Sequence, residues 1–173
     1  MLKGNNISLR ALEPSDVNVL YRWENDTATW KVSNTMTPFS KHVIEQYIAT
    51  SHQDIYTSRQ LRLMICDKDA NPVGCIDLFD YDPSHHRAGI GILIADEAER
   101  RKGYASEALQ LLTKYCQGTL QLHQLYCNII SGNESSIKLF ITHKFEITGV
   151  KKQWIKAEGS FVDELLLQLI LTK

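Results

Sequence analysis

A strand-like stretch, Gly89-Ile90-Gly91-Ile92-Leu93-Ile94, passes through an acidic turn into Arg100-Arg101-Lys102-Gly103-Tyr104-Ala105-Ser106, where helical spacing begins. Such a junction can hold an anion. A helix N-terminus presents unpaired N–H groups and about half a positive charge, and a glycine there lets backbone approach a ligand with no Cβ in the way. Arg100, Arg101 and Lys102 add cations, although Glu97 and Glu99 leave open a plain solvated basic turn. Neither the P-loop pattern nor the Gly-rich dinucleotide fingerprint is present, so nucleoside triphosphate and dinucleotide binding lack their motifs. Gly89 and Gly91 weaken their strand, which points to a bulge or to close approach by a backbone or ligand. On a neighbouring segment, Asp77 sits among apolar residues in Cys75-Ile76-Asp77-Leu78-Phe79. A strand-centre carboxylate faces solvent, a partner or a cleft, and in a cleft it can draw a cationic amine and accept its proton through water.

These residues need a frame to hold them, and the chain has the composition of a single globular domain spanning 1–173. It has 173 residues, 43% hydrophobic and 23% charged, and its 19 Lys plus Arg against 20 Asp plus Glu leave a net charge of -1. That balance gives no global field toward nucleic acid or an anionic membrane, so any anion site is local. Cys66, Cys75, Cys116 and Cys127 are scattered among apolar residues and read as buried thiols rather than a metal or disulfide framework; no metal is expected. With no apolar leader and no run near a membrane span, a cytoplasmic location is expected.

Periodicity supplies the order of elements. Ile7, Leu9 and Ala11 alternate as a strand, and the segments around Val17–Glu24 and Val43–Ile48 are helical, joined by an irregular, mobile stretch. Leu61–Cys66, Val73–Phe79 and Arg87–Ile94 form an antiparallel meander. A helix from Tyr104 to about Gly118 crosses to a parallel strand, Leu125–Ile130, before a short helix opened by Gly132-Asn133. Strands Phe145–Ile155 and Phe161–Leu171 close the chain around Glu158-Gly159, the last of them either central or an edge open to a second subunit. The expected fold is α/β (α+β), βααβββαβαββ, with a mixed, mostly antiparallel sheet of about seven strands flanked by four helices.

Arg100-x-x-Gly103-x-Ala105 matches the acetyl-CoA signature of the GNAT superfamily of N-acetyltransferases: Gln or Arg, two residues, Gly, one residue, then Gly or Ala. The element order, Asn133-Glu134-Ser135-Ser136 after the next strand, and the opening Ile7-Ser8-Leu9-Arg10-Ala11-Leu12-Glu13 extend the resemblance over nearly the whole chain. They place it nearest the RimJ/RimL and spermidine acetyltransferase branches. The resemblance implies acetyl-CoA as acetyl donor, with pantetheine in a gap beside Ile92, Leu93 and Ile94, and pyrophosphate on the amides of Arg101 to Ser106. It further implies Asn133 on the pantetheine arm, Phe140 near the thioester, and the amide of Leu93 or Ile94 facing the carbonyl oxygen as it becomes negative. On the residues alone, Ile92 to Ile94 can equally be a buried strand, Asn133 a helix cap and Phe140 core.

Direct transfer to an amine is implied, with Cys127 more easily read as an inert thiol than as a nucleophile. Many relatives carry a Glu base and a Tyr acid where this chain has Gly89 and Phe140. Ser136 is then the candidate acid and Asp77 the candidate base, while at most one of His85 and His86 can face the site. The acceptor pocket implied by the family draws on Trp23, Glu24, Asn25, Asp26, Trp30, the loop from Thr35 to Phe39, Trp154 and Phe161, with Asp77 beside it. Acidic and aromatic groups together suit a cationic amine: a polyamine, a protein N-terminus or another small amine. Homodimerisation is a family-level expectation. Two other classes stay open: a catalytically degenerate acyl-CoA-binding regulatory protein, motivated by Gly89 and Phe140, and a small RNA-associated factor, disfavoured by the charge balance.

Overall fold

In the computed structural model, which describes residues 1–33, 35–157 and 159–171, alternating aliphatic residues build eight strands into one sheet. These are β1 (Leu2–Lys3), β2 (Ser8–Arg10), β3 (Leu61–Cys66), β4 (Pro72–Asp82), β5 (Arg87–Ile94), β6 (Gln124–Ile130), β7 (Glu146–Ala157) and β8 (Ser160–Ile170). Their order is β1-β2-β3-β4-β5-β6-β8-β7, so the last strand is interior and β7 is the edge. The extra strand beyond the expected seven is the two-residue β1. Glu158, in the expected final turn, lies outside the described residues.

The helices are α1 (Val17–Glu24), α2 (Thr27–Ser33), α3 (Lys41–Thr50), α4 (Ile55–Ser58), α5 (Tyr104–Gly118) and α6 (Glu134–Thr142). Here the expectation of an irregular stretch after α1 is corrected, because α2 forms there. Its start is locally encoded: Asp26 Oδ1 accepts from Ala28 N at 3.0 Å, Thr29 Oγ1 bonds Asp26 O, and the Trp30 indole donates to Glu24 O at 2.8 Å. Similarly, α4 is a single turn capped by Asp54, too short to carry a periodic signal. Among the described residues, no helix is long and apolar enough to cross a membrane.

Each face of the sheet has its own core. On one side Ala108, Leu109, Leu112 and Cys116 of α5 pack with Leu63, Ile65, Ile76, Leu78, Ile90 and Leu125. On the other, Leu20 and Trp23 of α1 and Ile44 and Ile48 of α3 pack with Met64, Cys66 and Cys75. Burial of each large aliphatic side chain contributes about 1.5–3 kcal/mol, which anchors α1 and α5 on opposite sides of β4 and β5.

The second core is stapled to β2 by an ion pair between half-buried Arg10 and buried Asp16. Arg10 donates to Asp16 Oδ2 at 2.7 Å and Oδ1 at 2.8 Å, and Glu13 N donates to Oδ2 at 2.8 Å. Burial pushes the Asp16 carboxyl up, but these donors outweigh it and hold it below the ordinary carboxylate value. A depressed native value contributes stability above the unfolded value that is lost as pH falls through the native one. Asp16→Asn is therefore expected to lower stability by about 1–3 kcal/mol at neutral pH. The gap from wild type should narrow in urea titrations run below the ordinary carboxylate value; a constant gap would contradict this account of the pair.

The sheet opens at one place. β5 pairs in parallel with β6 only through Arg87, Ala88 and Gly89, opposite Gln124, Leu125 and Tyr126. Beyond that, β5 follows β4 as far as Ile94 opposite Gly74, while β6 follows β8 as far as Ile130 opposite Glu164. The two strands diverge, and α5 begins at the mouth of the gap they leave.

Candidate active site

The gap is lined by backbone before it is lined by side chains. Ala95 N donates to Val73 O at 3.1 Å, and with Gly74 opposite Ile94 the antiparallel alternation turns the peptide groups of Leu93 toward β4. Those of Ile92 and Ile94 then face the gap, in phase with His86 O, which accepts from Gln124 N on the β6 side. This corrects the expectation for Leu93, whose amide belongs to the ladder; Ile94 and Ile92 are the donors aimed at a ligand.

At the mouth, Gly103 caps α5 at φ +86°, a left-handed conformation that a residue with a Cβ rarely adopts, and beyond its chain neighbours no atom of the described residues lies within 4 Å of where that Cβ would be. The N–H groups of Tyr104, Ala105 and Ser106 open the helix behind it. The expected trio of cradle cations divides three ways. Arg100 donates to Ile94 O at 3.2 Å and Ala95 O at 3.3 Å, bolting the end of β5 to the loop. Lys102 pairs with Glu99 at 2.9 Å, whereas Arg101, at φ +63°, is exposed.

Asn133 caps α6: its Oδ1 accepts from Ser136 N at 3.2 Å and Ser135 Oγ at 3.1 Å, while its Nδ2 meets no acceptor among the described residues. Capping thus leaves donors for a ligand. Ser136 is half-buried, and its hydroxyl has no partner among the described residues. Phe140 departs from expectation. It is 3% exposed and packs edge-on against Phe145 at 4.9 Å, a core position rather than a ligand wall.

On the α1 side of the sheet, Arg62 joins the acidic residues. Its Nε donates to Asp77 Oδ1 at 2.7 Å and its Nη2 to Asp77 Oδ2 at 2.9 Å, while Nη1 pairs with Glu24. Tyr47 covers the guanidinium at 5.6 Å. Asp77 lies opposite Gly91, whose missing side chain leaves its flank open, and the nearest atoms to a Cβ there would be at 3.9 and 4.0 Å. Glu24 and Asp77 therefore come together as expected, around one positive charge. Trp23 does not join them: it is 4% exposed, within the second core. Trp154 stands apart on β7, exposed, with Lys151 at 5.4 Å. Phe161 is exposed too, and Asn25 ties α1 to the 35–39 loop by bonding Phe39 N and O.

Gly89 pairs opposite Phe79 at the end of a register unbroken from Gly74, and the register shifts immediately beyond it, between Phe79 and Asp82. The empty Cβ position of Gly89 is filled by the Phe79 ring, which packs edge-on with Tyr126 at 5.8 Å. The Gly89 position is thus closed by an aromatic pair. His85 and His86 sit at the opposite end of β5, bonded to Asp82 and Gln121 O, so neither faces the gap. Burial pushes the Cys127 thiol up to about 12, which leaves it protonated and inert at neutral pH.

Sequence reasoning missed Arg62, Tyr47, Phe79 and His143. His143 closes α6 and places Nε2 at 2.7 Å from Ser106 Oγ, and burial pushes its imidazole down. A charged residue within the apolar alternation of Leu61–Cys66 was the available signal for Arg62; its partner depended on a register that spacing alone does not provide.

Residues 6–146 match the family model described as acetyltransferase (GNAT) domain. The chain is 28% identical to the uncharacterized N-acetyltransferase p20 of Bacillus licheniformis over 98% of this chain and 95% of that protein. It is 24% identical to the spermidine N(1)-acetyltransferase of Escherichia coli (strain K12), covering 86% and 77% of the two. The structure of spermidine N-acetyltransferase from Vibrio cholerae in complex with CoA and spermine superposes with a TM-score of 0.86 at 20% identity, covering 95% of each chain.

Proposed function

The chain belongs to the acetyltransferase (GNAT) family, and from that premise we propose that it moves the acetyl group of acetyl-CoA directly onto a primary amine of a small cationic acceptor, polyamines being the first class to test. The observation that carries this reading is the divergence of β5 from β6 at the N-terminus of α5. Gap-facing amides and the unfilled space over Gly103 fit a thioester arm ending in a pyrophosphate. Ile92 and Ile94 would hold the arm, with Leu93 between them, and Arg101, Lys102, Gly103, Tyr104, Ala105 and Ser106 would hold the phosphates. Asn133 would bond the arm through its free amide. Acetyl-CoA supplies an acetyl group activated as a thioester.

The remaining chemistry falls to the chain. One gap-facing N–H, that of Ile92 or of Ile94, meets negative charge developing on the acetyl oxygen while the other holds the arm, since the two lie about 6.8 Å apart along the strand. Glu24 and Asp77 carry two negative charges against the one of Arg62, and that excess attracts an ammonium group. Asp77 takes the amine proton through water, since each of its oxygens keeps a lone pair beyond its bond to Arg62. Ser136 donates a hydrogen bond to the departing sulfur. Trp154 offers an aromatic face to a long cationic acceptor. A homodimer is supported by the edge strand β7, with Ile147, Val150 and Trp154 exposed.

The test is free-thiol release from acetyl-CoA across polyamines, aminoglycosides, amino acids and N-terminal peptides. Turnover is expected only with an amine present. Asp77→Asn is expected to lower kcat/KM about 10–100-fold and Ser136→Ala about tenfold, in the range for groups acting on the reacting proton. Gly89 and Phe140, neither of which titrates, favour a second reading as an acyl-CoA-binding regulator. Tight acetyl-CoA binding with no turnover on any amine would replace the enzyme reading with it.

A further inference from the structure

The first turn of α5 and the end of α6 meet through one hydrogen bond, Ser106 Oγ to His143 Nε2, at 2.7 Å. Both residues are half-buried, and Ser106 is the third residue of a 15-residue helix whose N-terminus opens toward the gap. The hydroxyl has a single proton. If it points at Nε2, it cannot serve an anion; if Nε2 carries hydrogen, the imidazole fills an oxygen lone pair and the hydroxyl proton is free to point outward. A neutral imidazole permits either arrangement, and a protonated one permits only the second.

We propose that His143 is a positioning residue for the acetyl donor: it aims the Ser106 hydroxyl at the phosphate bound by the α5 N-terminus and places a titratable positive charge behind it. The inference rests on the acetyl-CoA reading above. The charged groups on the surrounding elements are Glu107 on α5, Glu134 and Lys138 on α6, Lys144 after it, and Arg101 and Lys102 in the loop. Glu107 is engaged by Asn5 N, Asn6 N and Asn6 Nδ2, and Lys102 by Glu99. Burial alone moves the imidazole, and it moves it down, so the ring is neutral near pH 7 without ligand. A phosphate at the cradle favours the protonated ring. By linkage, protonation then favours the phosphate to the same degree.

Dephospho-CoA is the probe. It keeps the pyrophosphate but lacks the 3′-phosphate monoester, whose second ionisation near pH 6 would overlay the effect. By titration calorimetry, wild-type affinity is expected to rise about three- to tenfold between about pH 8 and pH 6, the scale of one charge-assisted contact, with net proton uptake on binding in buffers of different ionisation enthalpy. His143→Gln, which can still donate to Ser106 but does not titrate, is expected to give a flat profile without proton uptake. Ser106→Ala, which keeps the titrating ring but removes the hydroxyl that it aims, is expected to bind more weakly and with a smaller pH slope, and it serves if the His143 variant does not fold. Equal slopes and equal proton uptake in wild type and the variants would overturn the role of His143 while leaving acetyl-CoA binding intact. Failure of the wild type to bind either dephospho-CoA or acetyl-CoA at any pH would overturn both.

Discussion

Gly103→Val weakens acetyl-CoA binding by about 10–100-fold, equivalent to about 1.4–2.8 kcal/mol. Two effects of one side chain combine. At φ +86° a β-branched residue is strained by about 1–2 kcal/mol, which pulls the loop out of its left-handed turn and tilts the amides of α5 away from the phosphates. The side chain also starts into space where, beyond the adjoining residues, no atom of the described residues lies within 4 Å of the Cβ position, the space the pyrophosphate would need. Thermal unfolding, followed by circular dichroism, should show a modest loss of stability and a folded variant at room temperature. Calorimetry on that folded protein makes the comparison. If the open volume is merely solvent, the valine will be tolerated and affinity will not change.

Gly89→Glu has the opposite logic. The resemblance implies a glutamate base at this position in many relatives, and on that ground alone restoring it would raise turnover. The Phe79 ring already occupies the space, and Gly89 is buried between β4 and β6. A glutamate there must displace the ring and bury a carboxylate. The expected loss is about 3–5 kcal/mol, summing overpacking and an unpaired buried charge. Adding Phe79→Ala to Gly89→Glu should recover much of that loss, and urea unfolding of the single and double variants measures both. A Gly89→Glu protein as stable as wild type, with faster turnover, would mean the position is simply vacant.

The order of the large elements was legible because each carries its own signal: period-two alternation through Leu61–Cys66, a helical stripe from Tyr104 to Cys116, Gly103 at a positively charged turn. The parallel step from β5 to β6 followed from the crossover helix between them. What spacing does not encode is which residues oppose one another. Arg62 and Asp77 meet because β3 and β4 pair in one register, and a shift of one residue would turn them to opposite faces. Phe79 fills Gly89 for the same reason, from the strand beside the one that carries the motif. The core position of Phe140 depends on Phe145, which lies across the end of α6, where helical spacing stops being a guide. The alternation that takes Leu93 out of the gap and leaves Ile92 and Ile94 in it needed one hydrogen bond, Ala95 N to Val73 O, to fix its phase.

Amide hydrogen exchange, with and without acetyl-CoA, tests the placement of the acetyl donor most directly. Slowed exchange is expected at Ile92 and Ile94 and at Gly103 to Ser106, with Leu93 unchanged because its amide is already held by β4. Protection absent from those amides, or confined to another surface such as the turn from Asp67 to Asp69, would contradict it.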